Sequence, residues 1–494
     1  MRWGSAGMRG AAAAAVAVVL AAVVAVSAAD ARGVHVYATK GTPPLRTALF
    51  DPYAFTGANS STYEIAKATG ASYLRVMVEW RYVAPATRPT GFNAADPTSP
   101  GYDWAKLAST ITSMEDAGLT PYLDIIAPPA WAYSVKPSGH KAGTPNTLAL
   151  NQFAKALATE FDGNHGAPAI HVFQVWNEPN NSLDLSPVRA SAYRSLVNAV
   201  ASAVHSVSRS NLVIAGGLDP FENRAARFVS QAPLAYMRSF LCVSMGNPKA
   251  RQKRLRHPHA TCRTKVHLDI WSHHPYTFGG PTGHAKRAND VSLGDLPKMR
   301  SLLRAAVKLH RIVSSHPVQF WVTEFSWDTA PPRPKAAPLG LQARWTAESL
   351  HQMWSSGVTL ATWFLIEDLP SPNPFQSGLY FHAKSLETAR AKPTLTAFRF
   401  PFVAYLGRRR TVSVWGRDET SSKTLVTIER RHGLRGHWGV VARIEPNRYG
   451  IFKANLKLVA SKKDWLRAMT KGSGSSLAFS LTVPKNHRYG PWGN

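Results

Sequence analysis

Short apolar segments recur along the first four hundred residues, and longer stretches with helical spacing of their apolar positions separate them. The segments are rich in Val, Ile, Leu and aromatic residues, as parallel strands buried on both faces are. The predicted strands are 46–51, 72–78, 120–126, 170–176, 211–217, 267–273, 318–324 and 359–366. The predicted helices are 62–69, 104–117, 147–162, 187–207, 224–239, 294–314 and 339–356. This alternation favours a closed (β/α)8 TIM barrel over an open doubly wound sheet.

From about residue 411 the pattern changes to short alternating segments separated by turn sequences such as PNRYG and KGSGSS. No long helical pattern follows, which is typical of a small antiparallel β-sandwich. We therefore predict an α/β fold, with a (β/α)8 TIM barrel over residues 32–400. A C-terminal antiparallel β-sandwich domain is predicted over residues 401–494.

The N-terminus has the composition of a secretory signal peptide. Arg2 and Arg9 precede an apolar run over residues 11–29, and small residues offer cleavage after Ala28 or Ala31. We expect residues 1–31 to be removed, leaving a secreted or extracellular protein without a membrane span. The apolar run also approaches the ~20 residues that cross a bilayer, so an uncleaved anchor is the alternative.

The chain is strongly basic, with 58 Lys and Arg against 29 Asp and Glu, a formal net charge of +29. Such a charge attracts polyanions, which include nucleic acid, anionic glycans and an acidic cell envelope. No recognised nucleic-acid-binding motif accompanies the charge, so a specific nucleic-acid partner is not expected. A compositional habit of the source explains the charge equally well.

The two cysteines, Cys242 and Cys262, flank a basic stretch over residues 247–257. In an oxidising compartment an isolated pair of this kind predicts a disulfide that pins an insertion. The paired Cys and His spacing of a zinc site is missing, so no metal is predicted.

Two glutamates stand where a barrel enzyme would carry its chemistry. Segment 173–180, FQVWNEPN, places Asn177 and Glu178 at the end of the fourth predicted strand. Segment 320–327, FWVTEFSW, places Glu324 at the end of the seventh, among aromatic residues. Barrel enzymes build their sites at this carboxyl-terminal face. Either glutamate alone could be solvated or salt-bridged, but two on one rim indicate a catalytic pair.

The sequence WNEPN, together with the later SHHPY, resembles clan A retaining glycoside hydrolases. Family 39 is the most similar, and the family 5 cellulase-like group is also similar; the resemblance covers residues 45–400. It implies that Glu178 is the acid/base and Glu324 the nucleophile of a double displacement through a glycosyl-enzyme. The mechanism requires no metal and no organic cofactor.

Other positions match the clan residue by residue. Arg75 matches the strand-2 arginine beneath the nucleophile, and Asn177 matches the residue that hydrogen-bonds the sugar 2-hydroxyl. His274 and Tyr276 match the strand-6 pair near the nucleophile, with His273 as a register rival for His274. Trp363 matches the strand-8 aromatic that floors the site.

Two further tryptophans, Trp80 and Trp131, are candidates for lining the cleft, with core packing as the alternative for each. The expected partner is a carbohydrate, either neutral or an anionic glycan of the cell envelope. The resemblance allows xylosidase, glucanase, mannanase, arabinosidase or uronidase activity. The alternative function is a non-catalytic carbohydrate-binding cell-wall protein on a hydrolase scaffold.

Overall fold

The computed structural model describes residues 34–492 except 40, 56, 58, 226, 409, 420–423 and 485–487. The predicted signal peptide, residues 1–31, lies outside the described residues. Within them, no helix has the length and the apolar character needed to cross a bilayer.

Eight parallel strands close into a barrel, as predicted. The strands are β1 (Arg46–Phe50), β2 (Tyr73–Glu79), β3 (Thr120–Ile126), β4 (Val172–Val175), β5 (Leu212–Leu218), β6 (Ile270–His273), β7 (Gln319–Phe325) and β8 (Leu360–Phe364). Strand β8 closes the ring by pairing with β1 along its whole length. The carboxyl ends of all eight strands therefore open onto one face.

A helix follows each barrel strand. The helices are α1 (Ser60–Ala68), α2 (Ala105–Asp116), α3 (Thr147–Glu160), α4 (Ala190–Val207), α5 (Pro233–Leu241), α6 (Leu296–Lys308), α7 (Leu339–Ser355) and α8 (Pro393–Arg399). The prediction of a helix over 224–239 is wrong in its first half. There the backbone groups of Asn223 and Ser230 bond to each other, and α5 begins only at Pro233.

Two sheets form the second domain. Its strands are β9 (Phe402–Leu406), β10 (Thr411–Arg417), β11 (Val426–His432), β12 (Gly439–Glu445), β13 (Ile451–Lys457), β14 (Asp464–Thr470), β15 (Gly474–Ser475) and β16 (Phe479–Ser480). Strands β9, β10 and β13 make one antiparallel sheet. Strands β12, β11 and β14 make the other, and β15 and β16 pair with β14.

A short strand near the start of the described chain belongs to the second domain. Val36–Ala38 pairs in parallel with β12, with Val36 opposite Arg443. The predicted boundaries assign residues 32–400 to the barrel, so this strand lies in the other domain from the one expected. The described chain thus contributes one strand to the sandwich before the first strand of the barrel.

Helix α7 carries most of the aromatic contact between the domains. Trp415 of β10 packs against His351 and Trp354, with ring centroids 5.1 and 5.6 Å away. The Arg344 guanidinium lies 3.9 Å from the ring centroid of Phe479. Because these rings exclude water from the contact, the sandwich is held against the barrel wall.

Candidate active site

The turn after β4 aims Glu178 into the barrel mouth. Trp176 and Glu178 both have left-handed backbone, with φ of 71° and 36°. Such conformations are costly for residues with side chains and are concentrated at functional sites. The Glu178 N–H donates to the Gly217 carbonyl of β5 at 3.2 Å, which fixes the turn. The Glu178 side chain keeps 17% of its surface exposed.

Arg75, on β2, connects the fourth and seventh strands. Its guanidinium donates to Glu324 Oε2 at 3.0 Å, to Asp124 Oδ2 at 2.6 Å and to Asn177 Oδ1 at 2.7 Å. Arg75 and Asp124 are fully buried, whereas the Glu324 side chain is 14% exposed. Of the two carboxylates that Arg75 binds, Glu324 is therefore the one that a substrate can reach.

His274 and Tyr276 complete the site from the end of β6. The Tyr276 hydroxyl donates to Glu324 Oε1 at 2.7 Å. His274 Nδ1 lies 2.9 Å from Glu178 Oε1 and 3.9 Å from Glu324 Oε2. One imidazole nitrogen thus faces both carboxylates, and its Nε2 is 3.1 Å from the Thr323 hydroxyl. The geometry brings together Arg75, Asn177, Glu178, His274, Tyr276 and Glu324.

Burial and like charges separate the properties of the two glutamates. Burial, with the nearby carboxylates of Asp219, Asp184 and Glu324, raises the pKa of Glu178 well above its usual value. Burial also raises the pKa of Glu324, but Arg75 and Tyr276 oppose that rise directly. Glu178 is thereby the better proton donor and Glu324 the better anion.

The neighbouring side chains keep fixed protonation states. Burial and the positive charge of Arg75 lower the pKa of His274 well below its usual value, so the imidazole is neutral. Burial and the Glu324 carboxylate raise the pKa of Tyr276 well above 10, so its hydroxyl keeps its proton and can donate it in a hydrogen bond. Neither the imidazole nor the phenol therefore carries a charge in the site.

Three carboxylates of the site were not predicted from the sequence. Asp124 lies inside the predicted third strand and balances Arg75. Asp184 accepts from Asn177 Nδ2 at 2.8 Å, and burial raises its pKa to about 7. Asp219 accepts from Asn181 Nδ2 at 3.1 Å, and burial raises its pKa to about 6. An acidic residue inside or directly after an apolar strand was the available signal for Asp124 and Asp219, whereas Asp184, on the loop after β4, had no such signal.

The register of β6 separates the two histidines. His273 is fully buried outside the network, with its Nε2 2.9 Å from the Val291 carbonyl oxygen. His274 is the one that contacts Glu178. The geometry therefore places His274, and not its register rival, among the carboxylates.

Two predicted sugar contacts are core residues. Trp80 is fully buried and stacks on Phe153 of α3, with ring centroids 4.7 Å apart. Trp363 is also fully buried; its indole N–H donates to the Ser377 carbonyl and its ring packs against Phe398 of α8. Without exposed surface neither ring can stack on a sugar, so both expectations are corrected.

On β8 the side chains next to Trp363 face the barrel interior instead. The Thr362 hydroxyl lies 2.9 Å from that of Tyr122, and Phe364 packs against Phe50 and Phe375 at the mouth. Trp131 is partly exposed on the loop after β3, where its indole N–H donates to the Pro85 carbonyl. Among the described residues, no contact joins Trp131 to the carboxylates of Glu178 and Glu324.

The predicted disulfide between Cys242 and Cys262 is present. It encloses the basic stretch 247–257, and the side chains of its 3-10 turn, Lys253–Arg256, are unburied. Among the residues that the structure describes, no group of His, Cys, Asp and Glu has the arrangement of a metal site.

Solved structures of glycoside hydrolases share this fold. A family 39 glycoside hydrolase from Bacteroides cellulosilyticus WH2 matches at a TM-score of 0.50 and 15% identity, over 87% of this chain and 81% of that one. A monomeric beta-xylosidase from Caulobacter crescentus CB15 matches at 0.50 and 14%, over 87% and 98%. The GH39 enzyme from Xanthomonas axonopodis pv. citri matches at 0.50 and 14%, over 88% and 96%.

No protein-family model matches the chain, and no curated protein sequence matches it. The structural likeness confirms the predicted fold, a TIM barrel with an attached β-sandwich, and the structures that share it include family 39 glycoside hydrolases.

Proposed function

We propose that the protein is a secreted retaining glycoside hydrolase with Glu324 as nucleophile and Glu178 as acid/base. The observation that carries the proposal is the pair of partly exposed carboxylates that face one nitrogen of His274. Glu178 Oε1 and Glu324 Oε2 contact the same nitrogen, at 2.9 and 3.9 Å. The distance between these two oxygens therefore cannot exceed the two contact distances added together. A separation of about 5–5.5 Å between carboxyl groups is what double displacement requires.

Each half-reaction has a defined role for these groups. Glu324 attacks the anomeric carbon while the glycosidic bond breaks, and the departing oxygen takes the proton of Glu178. Glu178 then removes a proton from water, the water oxygen attacks the anomeric carbon, and Glu324 leaves as a carboxylate. Arg75 and Tyr276 favour that carboxylate, and the surrounding acids favour the protonated form of Glu178.

Activity assays on wild type, Glu324→Ala and Glu64→Gln test the proposal. Glu64 is an exposed glutamate on α1 and serves as the matched control. The substrates are aryl β-xylosides, β-glucosides, α-arabinosides and uronides, with the anomeric configuration of the first product followed by NMR. We expect hydrolysis with retention by wild type and Glu64→Gln and none by Glu324→Ala. Equal hydrolysis by all three proteins would refute the assignment.

The acid/base role has a separate test. Glu178→Ala should glycosylate normally with an activated aryl leaving group, which needs little protonation, and slowly with a natural glycan. Equal slowing of that step on both substrates would contradict the role. Binding of glycans without hydrolysis by wild type would instead favour the non-catalytic carbohydrate-binding alternative.

The location of the enzyme is part of the proposal. The signal-like N-terminus supports export, and a Cys242–Cys262 disulfide suits an oxidising compartment. The net charge of +29 supports retention near an acidic envelope. Binding to isolated envelopes that disappears at high salt would fit this proposal, and binding insensitive to salt would contradict it.

A further inference from the structure

A segment beyond the sandwich returns to the mouth of the barrel. In this return segment, Arg488–Trp492, the Tyr489 carbonyl accepts from the Gly279 N–H at 2.8 Å. The Pro491 carbonyl accepts from the Asp328 N–H, also at 2.8 Å. Gly279 lies on the loop after β6 and Asp328 on the loop after β7. The return segment therefore bridges the two loops that flank Glu324.

Trp492 is placed one side chain away from the nucleophile. Its ring centroid lies 5.2 Å from that of Tyr276, whose hydroxyl donates to Glu324. It also lies 6.4 Å from Phe278, which meets it edge-on and is itself 48% exposed. Trp492 stays partly exposed.

A partly exposed indole in this place has the properties of a platform on which a sugar can stack. Its flat face packs against the C–H face of a pyranose, and its N–H can bond a hydroxyl at the ring edge. Trp80 and Trp363, in contrast, bury both faces. A cavity of 610 Å³ adjoins Phe278 and is lined also by Phe221, Lys286 and Arg488. A chain of sugars resting on Trp492 has room to continue there.

We propose that Trp492 forms a sugar-binding subsite beside Glu324, so that the return segment of the sandwich domain is part of the substrate cleft. The proposal rests on the glycosidase function proposed above and extends it to substrate length. The ligand class is an oligosaccharide whose second or third ring stacks on Trp492 and reaches toward the cavity.

The test measures binding and hydrolysis by wild type, Trp492→Ala, Trp492→Phe and Trp438→Ala. Trp438, a partly exposed tryptophan stacked with Arg431 and Arg467 beside the six-stranded sheet, is the matched control. The probes are xylotetraose, cellotetraose and tetragalacturonic acid, titrated calorimetrically in a Glu324→Gln background. We expect Trp492→Ala to weaken the best-bound probe about tenfold, because both the stacking face and the apolar area it covers are lost. Trp492→Phe should recover most of the affinity, and Trp438→Ala should leave it unchanged.

Hydrolysis rates distinguish two roles of Trp492: binding a sugar directly, or positioning Tyr276. For a subsite, Trp492→Ala lowers the ratio of tetrasaccharide to aryl monoglycoside kcat/KM about tenfold, mainly through KM. Equal losses on both substrates, or a shifted pH profile, would overturn the subsite in favour of a positioning role. Equal affinity of wild type and Trp492→Ala, or no binding of any probe by wild type, would overturn it too. Undiminished turnover by Glu324→Ala would contradict the proposed function instead.

Discussion

Arg75 and Glu324 form a 3.0 Å ion pair at the mouth of the barrel, although 249 positions separate them in the chain. The same guanidinium binds the buried carboxylate of Asp124, so one positive charge serves two anions. Since Asp124 is inaccessible and Glu324 is partly exposed, the pair holds an anion ready where a substrate can reach it.

Replacing Arg75 by Met should move the acid side of the pH–activity profile to higher pH. Without the guanidinium the pKa of Glu324 rises, so Glu324, the proposed nucleophile, becomes protonated at a higher pH than in wild type. The change also leaves Asp124 buried and unpaired, at a cost of about 3–5 kcal/mol of stability. Urea unfolding and the pH dependence of kcat/KM on an aryl glycoside measure the two effects.

The double variant Arg75→Met/Asp124→Asn is the control for that experiment. It should regain part of the lost stability, because no buried charge is left uncompensated. Its acidic limb should stay displaced, since Glu324 still lacks its cation. An acidic limb at the wild-type position in both variants would show that Arg75 does not set the pKa of Glu324.

Asp219→Asn should move the alkaline side of the profile to lower pH. Among the neighbouring charges Asp219 contributes most to the raised pKa of Glu178, and removal of its charge lets that pKa fall. Glu178, the proposed general acid, then loses its proton at a lower pH, so activity should decline at a lower pH than in wild type. Asp116→Asn, on the exposed end of α2, should leave both limbs unmoved. An alkaline limb that stays in place with Asp219→Asn would exclude this electrostatic role.

Trp80→Ala should reduce stability rather than sugar binding. The ring is fully buried against Phe153, and truncation of such an aromatic costs about 3–5 kcal/mol. The denaturation midpoint should fall while KM stays at the wild-type value for the folded fraction. Trp80→Phe keeps most of the volume and should lose less stability. A raised KM with unchanged stability would show that Trp80 contributes to sugar binding and not to the core.

Removing the disulfide with Cys242→Ala/Cys262→Ala should lower the free energy of unfolding by about 3 kcal/mol, as expected for a loop of this length. Because the bridge lies outside the carboxylate network, kcat/KM at temperatures where the variant is folded should equal that of wild type. Thiol labelling before and after reduction gives a direct check: two reactive thiols in the native protein would mean that the bridge does not form.

The barrel and the two glutamates could be predicted because their signals are local. Each strand is a short, mainly apolar run, and Glu178 and Glu324 lie just after or at the end of such runs. The apolar sequence of β8 predicts the strand correctly, but it also caused Trp363 to be assigned to the wrong face. A strand buried on both faces shows no polar alternation, so its sequence does not tell which side chains face inward. In β8 it is Thr362 that faces Tyr122 and Trp363 that meets α8.

Two features had no local signal at all. The strand Val36–Ala38 pairs with residues four hundred positions away, and its own sequence is too short to indicate a domain. Trp492 reaches Tyr276 only because the sandwich folds back against α7. Contacts between segments so distant along the chain leave no periodicity that a single sequence can reveal.

The pairing of Val36 with Arg443 and the bond between Tyr489 and Gly279 also set an order of assembly. A growing chain presents residues 36–38 first, yet they must wait for β12 before their partner exists. The contacts of the return segment with Gly279 and Tyr276 form later still, once Trp492 has been synthesised. Synthesis from the N-terminus therefore produces the barrel strands before it produces the return segment that packs beside Tyr276. A protein truncated at residue 400 would lack the partners of both Val36–Ala38 and Gly279.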